Sequence, residues 1–200
     1  MGDTKKQRKK YRGPSHPWQK LRIEEEQHVL KAYGLKNKTE IWRMASQLKN
    51  FAHQAKKLNP LATKEAEKER QQLLQKLIKL GLLQHTAKLD DVLSLSLKDI
   101  LERRLQTQVV RRGLAKSMRE ARQLITHKHI MVKGQKITAP SYLVAIQEQE
   151  ALAFAGNSPF SNPERRKSSG FPSPETEASE HSKRAAQPKP EIKRVEAAAE

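Results

Sequence analysis

The chain has 200 residues and carries 40 Lys+Arg against 22 Asp+Glu, a formal net charge of +18. With 36% hydrophobic residues, 4% aromatics and no cysteine, it can build one modest core, and disulfides, thiol catalysis and Cys-ligated zinc or iron–sulfur centres are excluded. No apolar run approaches the roughly 18 residues of a transmembrane helix, and the basic start lacks the apolar stretch of a signal peptide. The expectation is a soluble, intracellular protein whose charge asks for a polyanionic partner.

The chain opens on MGDTKKQRKKYRGPS, in which Lys5, Lys6, Arg8, Lys9, Lys10 and Arg12 face a single acid. Like charges repel, so residues 1–20 are predicted to form an extended basic arm. It has no apolar anchor and is expected to stay mobile until an anion neutralises it.

Residues 21–95 read as a helical region. A charged helix is predicted over 21–33, stopped by Gly34. Thr39 is a good N-cap for a second, in which Ile41, Met44, Ala45, Leu48, Phe51, Ala52 and Ala55 recur at helical spacing. After Pro60 a third helix, 64–80, buries Leu73, Leu74, Leu77 and Ile78 and ends at Gly81. Lys49, Lys56, Lys57, Arg70 and Lys76 fall on the opposite faces, which alone is weak evidence for RNA. Asp90 and Asp91 precede an apolar run and are expected to end a loop rather than to pair in catalysis.

From residue 96 the signals tighten. Ser96 with Asp99, and Ser117 with Glu120, read as capping boxes. Between them Leu97, Leu101, Leu105 and Val109 predict one helix closed by Gly113, with Arg103, Arg104, Arg111 and Arg112 off its apolar stripe. A short helix with Ala121, Leu124 and Ile125 on its apolar side follows, and Arg119, Arg122 and Lys128 project elsewhere. After His129 the period switches to that of a strand: Ile130, Val132 and Ile137 flank a turn at Lys133-Gly134-Gln135. Further strands are expected at 142–144 and 152–154. Residues 96–156 thus form two short helices on a small antiparallel sheet, with 11 basic and 5 acidic side chains.

The remainder, 157–200, holds six of the ten prolines and seven serines but only one net positive charge. It is expected to be a disordered tail, leaving the useful charge on the part that folds. No phosphate-binding glycine loop, zinc-protease helix or nucleophile elbow occurs. His127 and His129 offer two metal ligands without a third, so phosphate donation or turn capping is the better reading.

The segment ERRLQTQVVRRGLAKSMREARQLITHKHIMVKGQKITAPSYLV resembles the αL RNA-binding module of the small-subunit ribosomal protein four family. RRL, RRG, SxxxARQLI, the H-x-H-I-x-V-x-G hairpin and PSY occur in order. GDTKKQRKKYRGPSHPW, YGLKNKTEIW and LLQKLIKLGLL extend the resemblance to the archaeal and eukaryotic branch, over about residues 2–155. It implies a mainly α protein with a small antiparallel β component: a non-enzymatic constituent of the cytoplasmic small subunit that binds its rRNA at a multi-helix junction. It also implies early nucleation of the subunit body, a contribution to translational accuracy, and a place beside small-subunit ribosomal protein five and other small-subunit proteins, away from membranes. Carried over, the RNA face is Arg103, Arg104, Arg111, Ser117, Arg119, Arg122, Gln123, His127, Lys128 and His129, with Arg112 and the basic arm adjoining. This chain departs from many bacterial members in carrying Gln106 where they have an acid. It also lacks the N-terminal cysteines that hold zinc in some, so no metal or other cofactor is expected.

The physics agrees with that face. A-form RNA hides its base edges, so proteins grip phosphates and 2′-hydroxyls, and Arg does so bidentately. The alternatives are an RNA chaperone of small-subunit precursor processing, and an RNA-modifying enzyme using the module for delivery. The second lacks room for a catalytic domain.

Overall fold

The computed structural model describes residues 8–161; Lys5, Lys6 and the tail beyond Ser161 lie outside the described residues. Four helices make the first part: α1 (Lys20–Ala32), α2 (Lys38–Leu58), α3 (Lys64–Lys79) and α4 (Leu89–Ser94). α2 is their common partner because its apolar stripe is long enough to serve two clusters. Phe51, Ala55 and Leu58 pack with Leu73 and Leu77 of α3 and Val92 of α4. Ile41 and Met44, nearer its start, pack instead with Leu35, Ile100 and Leu101.

Several ends differ from the sequence expectation. α2 begins earlier than Thr39, with extended Asn37 at its N-cap, whereas Thr63 caps α3 by accepting from the Ala66 N–H at 3.3 Å. Asp91 lies in the first turn of α4, not at a loop end, and accepts from the Lys88 N–H at 2.7 Å. Arg70, read as part of a solvated basic face, donates to the carbonyls of Leu58, Asn59 and Leu61. It therefore neutralises the carbonyl-rich end of α2.

The predicted single helix over 97–109 is two: α5 (Leu97–Glu102) and α6 (Leu105–Arg111). A later segment takes the backbone groups that would have continued it. The Leu105 N–H donates to the Tyr142 carbonyl at 2.7 Å and the Val144 N–H to the Arg103 carbonyl at 2.9 Å. The strand expected at 142–144 is accordingly no sheet strand but an isolated bridge, Arg104 against Leu143. Thr107 Oγ1 and Gln108 Nε2 bond back to the carbonyls of Leu101 and Glu102, so the break leaves few orphan groups.

Beyond Gly113 come α7 (Met118–Thr126), β1 (Ile130–Val132), β2 (Gln135–Lys136), α8 (Ile146–Gln149), which the sequence did not suggest, and β3 (Leu152–Phe154). The sheet order is β2-β1-β3, both pairings antiparallel, with Met131 opposite Lys136 and Ala153. Lys133 and Gly134 both have positive φ, the signature of a two-residue I′ hairpin. Leu105 and Val109 of α6, Ile125 of α7, Ile130 of β1 and Val144 are fully buried together, each aliphatic side chain contributing roughly 1.5–3 kcal/mol. Residues 159–161, read as the start of the tail, form a 3₁₀ turn, and Phe160 packs against this core.

α6 and α7 end alike. At Gly113 the next N–H, of Leu114, reaches back to the Val109 carbonyl at 3.0 Å; after α7 the His129 N–H reaches the Leu124 carbonyl at 3.0 Å. Both are Schellman closures, which need a left-handed residue. The first uses Gly113, but the second uses Lys128 at φ 63°, where a side chain costs about 1–2 kcal/mol. Lys128→Gly is therefore expected to raise the unfolding free energy by about 0.5–1 kcal/mol, once glycine's greater chain entropy is subtracted. Urea denaturation checks this; a lower midpoint would mean that the lysine's contacts outweigh its strain.

Candidate nucleic-acid interface

Ser117 starts α7, its Oγ accepting from the Glu120 N–H at 3.2 Å. The expected reciprocal bond is shifted by one residue, since the Glu120 carboxylate accepts from the Lys116 N–H at 2.8 Å. Helical spacing then puts Arg119, Gln123 and His127 on one outer face, and all three are exposed. Lys128 follows them, exposed, in the left-handed turn. His129 is half-buried, its ring meeting that of Phe160 edge-on at 5.3 Å. Gln123, His127, His129 and Phe160 line a shallow cleft of about 260 Å³. Arg112 is exposed at the end of α6, and Arg111 beside it donates to Glu102 at 3.0 Å while staying largely in solvent.

The remaining predicted arginines are not on that face. Arg104 is 1% exposed and donates to Glu40 at 2.7 Å. Arg122 leaves α7 on its flank, between that face and the buried side, and reaches the other oxygen of Glu40 at 2.6 Å. One carboxylate at the start of α2 thus binds a guanidinium from the α5–α6 break and another from α7. Burial raises the Glu40 pKa, but the Arg122 hydrogen bond and the two positive charges outweigh it and hold the carboxyl below its ordinary value. Arg103 is half-buried and donates to Gln149 Oε1 and the Val144 carbonyl. The family resemblance carried Arg103, Arg104 and Arg122 over to the RNA face by motif, and a motif match carries no information on which way each side chain points in the free protein.

Gln106 lies beside this junction, 1% exposed, with Nε2 donating to the carbonyls of Met118, Gly34 and Tyr33 at 2.7, 3.1 and 3.4 Å. An ionised acid could give none of these bonds, so the departure at this position suits what surrounds it. Gly34 is indispensable there: a Cβ would stand 2.5 Å from that of Met118.

The basic arm has an anchor that composition concealed. Tyr11 stacks on Trp42 with centroids 6.3 Å apart, the Arg43 guanidinium lies over the Tyr11 ring at 5.7 Å from its centroid, and the Arg12 N–H donates to Ser46 Oγ at 3.0 Å. The expectation of an unanchored arm is thus corrected for residues 11–12. Arg8, Lys9, Lys10 and Arg12 themselves point into solvent. Among the described residues no three His, Asp or Glu side chains converge as metal ligands. Glu40 and Tyr11 were both missed. Glu40 did leave a signal, being the only acid between Glu26 and Glu65.

Residues 103–149 match the S4 domain family. The chain is similar to small ribosomal subunit protein uS4 of Ignicoccus hospitalis, at 49% identity over 160 residues, covering 80% of this chain and 96% of that protein. It is similarly related to uS4 of Nanoarchaeum equitans (50%, covering 80% and 89%) and of Methanococcus aeolicus (50%, covering 82% and 96%).

Removing the shared carboxylate tests the junction. Glu40→Gln leaves the buried Arg104 charge without its counterion and should cost on the order of 3 kcal/mol. Because the folded pKa of Glu40 is depressed, its contribution is fully present above the unfolded value of 4.5 and is lost as pH falls through the lower folded value. Urea titrations at pH 7 and below pH 4.5 should therefore differ less for the variant than for the wild type. Equal pH dependence in both proteins would dismiss this account.

Proposed function

Since the chain belongs to the family of small ribosomal subunit protein uS4, we propose that it is a structural constituent of the small subunit of the cytoplasmic ribosome that binds the subunit's RNA directly. The observation that carries this is collinear similarity over four-fifths of the chain, reaching nearly the full length of its relatives. Nothing in this role calls for catalysis; the work is binding and ordering RNA.

The contact set is the exposed part of the sequence expectation: Arg111, Arg112, Ser117, Arg119, Gln123, His127 and Lys128 around α7, with Arg8, Lys9, Lys10 and Arg12 along the arm. These groups are exposed in the free protein, and the arginines and lysines among them carry charge without burying it, so phosphates can replace water around them at little cost. Lys5 and Lys6 would extend the arm. His129 contributes from the cleft edge. Two charged surfaces on a scaffold joined at Glu40 would bridge separate RNA helices, which supports an early role in shaping the subunit body and, through that, in decoding accuracy. Small-subunit ribosomal protein five would be a neighbour in the assembled subunit.

Arg119→Ala is expected to lower affinity for small-subunit rRNA and to flatten the log-affinity versus log-salt line by roughly 0.7–0.9 of a unit, with unfolding unchanged. Arg122→Ala should instead destabilise the protein, because it strips Glu40 of a partner. Lys128→Gly should pair weaker rRNA binding with its higher stability. Filter binding at several salt concentrations measures the slopes; an Arg119→Ala line identical to wild type would take that residue out of the interface. Sedimentation tests the role itself, with stoichiometric recovery expected in mature small subunits rather than only in precursors.

A further inference from the structure

Trp18 is 90% exposed, and Leu21, one turn on, is 70% exposed. A tryptophan left in water forfeits the burial that its large apolar surface would bring. The backbone beneath it is nevertheless firmly held. Arg22 Nη2 donates to the carbonyls of His16 and Pro17, each at 2.9 Å, while Nη1 pairs with Glu26 at 2.6 Å. Glu26 is itself buried, takes the Trp42 indole N–H at 2.9 Å, and faces Lys38. Through Trp42, which stacks on Tyr11, the same cluster holds the arm. The Trp18 ring is presented by a built support.

Immediately beside it is an open cleft of about 350 Å³ with Arg12 and Lys49 on its wall, His16 and Gln19 between them, the already paired Arg22 behind, and no acidic side chain in its lining. His16 and Gln19 line both this cleft and the surface around Trp18, so the two are contiguous. A cation-lined hollow next to a bare indole face matches the two halves of a nucleotide, an anionic phosphate and a flat base.

We propose that Trp18 is a stacking platform for one unpaired rRNA base, whose backbone phosphate lies in the adjoining cleft between the arm and α2. This deepens the rRNA-binding reading and rests on it. It gives the interface a contact that is indifferent to base identity but demands a single-stranded or bulged nucleotide, because a base paired within a helix offers no free face. The cleft's charge favours RNA over an apolar protein segment as occupant.

The test uses the full chain and a small-subunit rRNA transcript. Trp18→Ala should weaken binding about tenfold, within the range found for losing one base–aromatic stack. Trp18→Phe should keep most of the affinity, and Trp18→Leu should behave like alanine. All three should unfold at the wild-type temperature, since the side chain touches little in the free protein. Emission from Trp18, read as the difference between wild type and Trp18→Phe, should be quenched on binding. Wild-type affinity in Trp18→Ala, or leucine performing as well as phenylalanine, would overturn the stack while leaving rRNA binding intact. Failure of the wild type to bind the transcript would overturn both readings.

Discussion

One carboxylate stands where the N-terminal helices meet the later module, beside the apolar contact of Ile41 and Met44 with Ile100 and Leu101. Glu40 faces Arg104 and Arg122 at 2.7 and 2.6 Å, and Arg104 has almost no contact with solvent. Such a pair adds little net stability over a well-packed apolar alternative, but losing one member leaves a stranded charge. Its geometry is also demanding. Arg104 Nε and Nη1 have no hydrogen-bond partner among the described residues, so displacement of Glu40 finds no ready substitute. The burial of Gln106 in the adjoining turn, donating to three carbonyls from two segments, fixes the same interface by neutral bonds. Together they specify an angle between helices rather than merely an attraction.

That arrangement divides the cations into two populations. Arg22, Arg70, Arg103, Arg104 and Arg122 are occupied with carboxylates or carbonyl oxygens of the protein itself. Arg8, Lys9, Lys10, Arg12, Arg112, Arg119 and Lys128 stand in water. The net charge of +18 therefore describes long-range attraction, which depends on the sum, and exaggerates the number of groups able to touch a phosphate. All five occupied cations are arginines, whose planar, multiply donating group can hold several partners at once, whereas the exposed set mixes arginine with lysine.

Much of this was legible in the chain. The apolar spacing of α2, the glycines closing α1 and α6 and the serine caps of α5 and α7 are local signals, and each acts within a turn of the residue that carries it. What escaped was decided by residues distant in sequence. Leu97, Leu101, Leu105 and Val109 remain in phase across the α5–α6 break because the competing hydrogen bonds come from Tyr142 and Val144. Tyr11 looked like one polar-flanked ring in a charged run until α2 supplied Trp42. Phe160 sat in a proline- and serine-rich segment, yet His129 and Phe154 give it aromatic neighbours. For the interface, type of residue was readable and direction was not: Arg119 and Arg122 differ by three positions, and only the second meets Glu40.

The break between α5 and α6 also sets an order of events during synthesis. Arg103 and the Val144 segment that completes its bonding are 41 residues apart. At roughly 5–20 residues per second, the ribosome exposes the first for about 2–8 s before the second is made. In that interval Leu105 and Val109 have no β-sheet to cover them, and an isolated helical stretch of this length is marginal in water. Only the arrival of Tyr142–Val144 supplies the bonds that fill the break. This small core is thus left open until the chain's later half arrives to complete the earlier one.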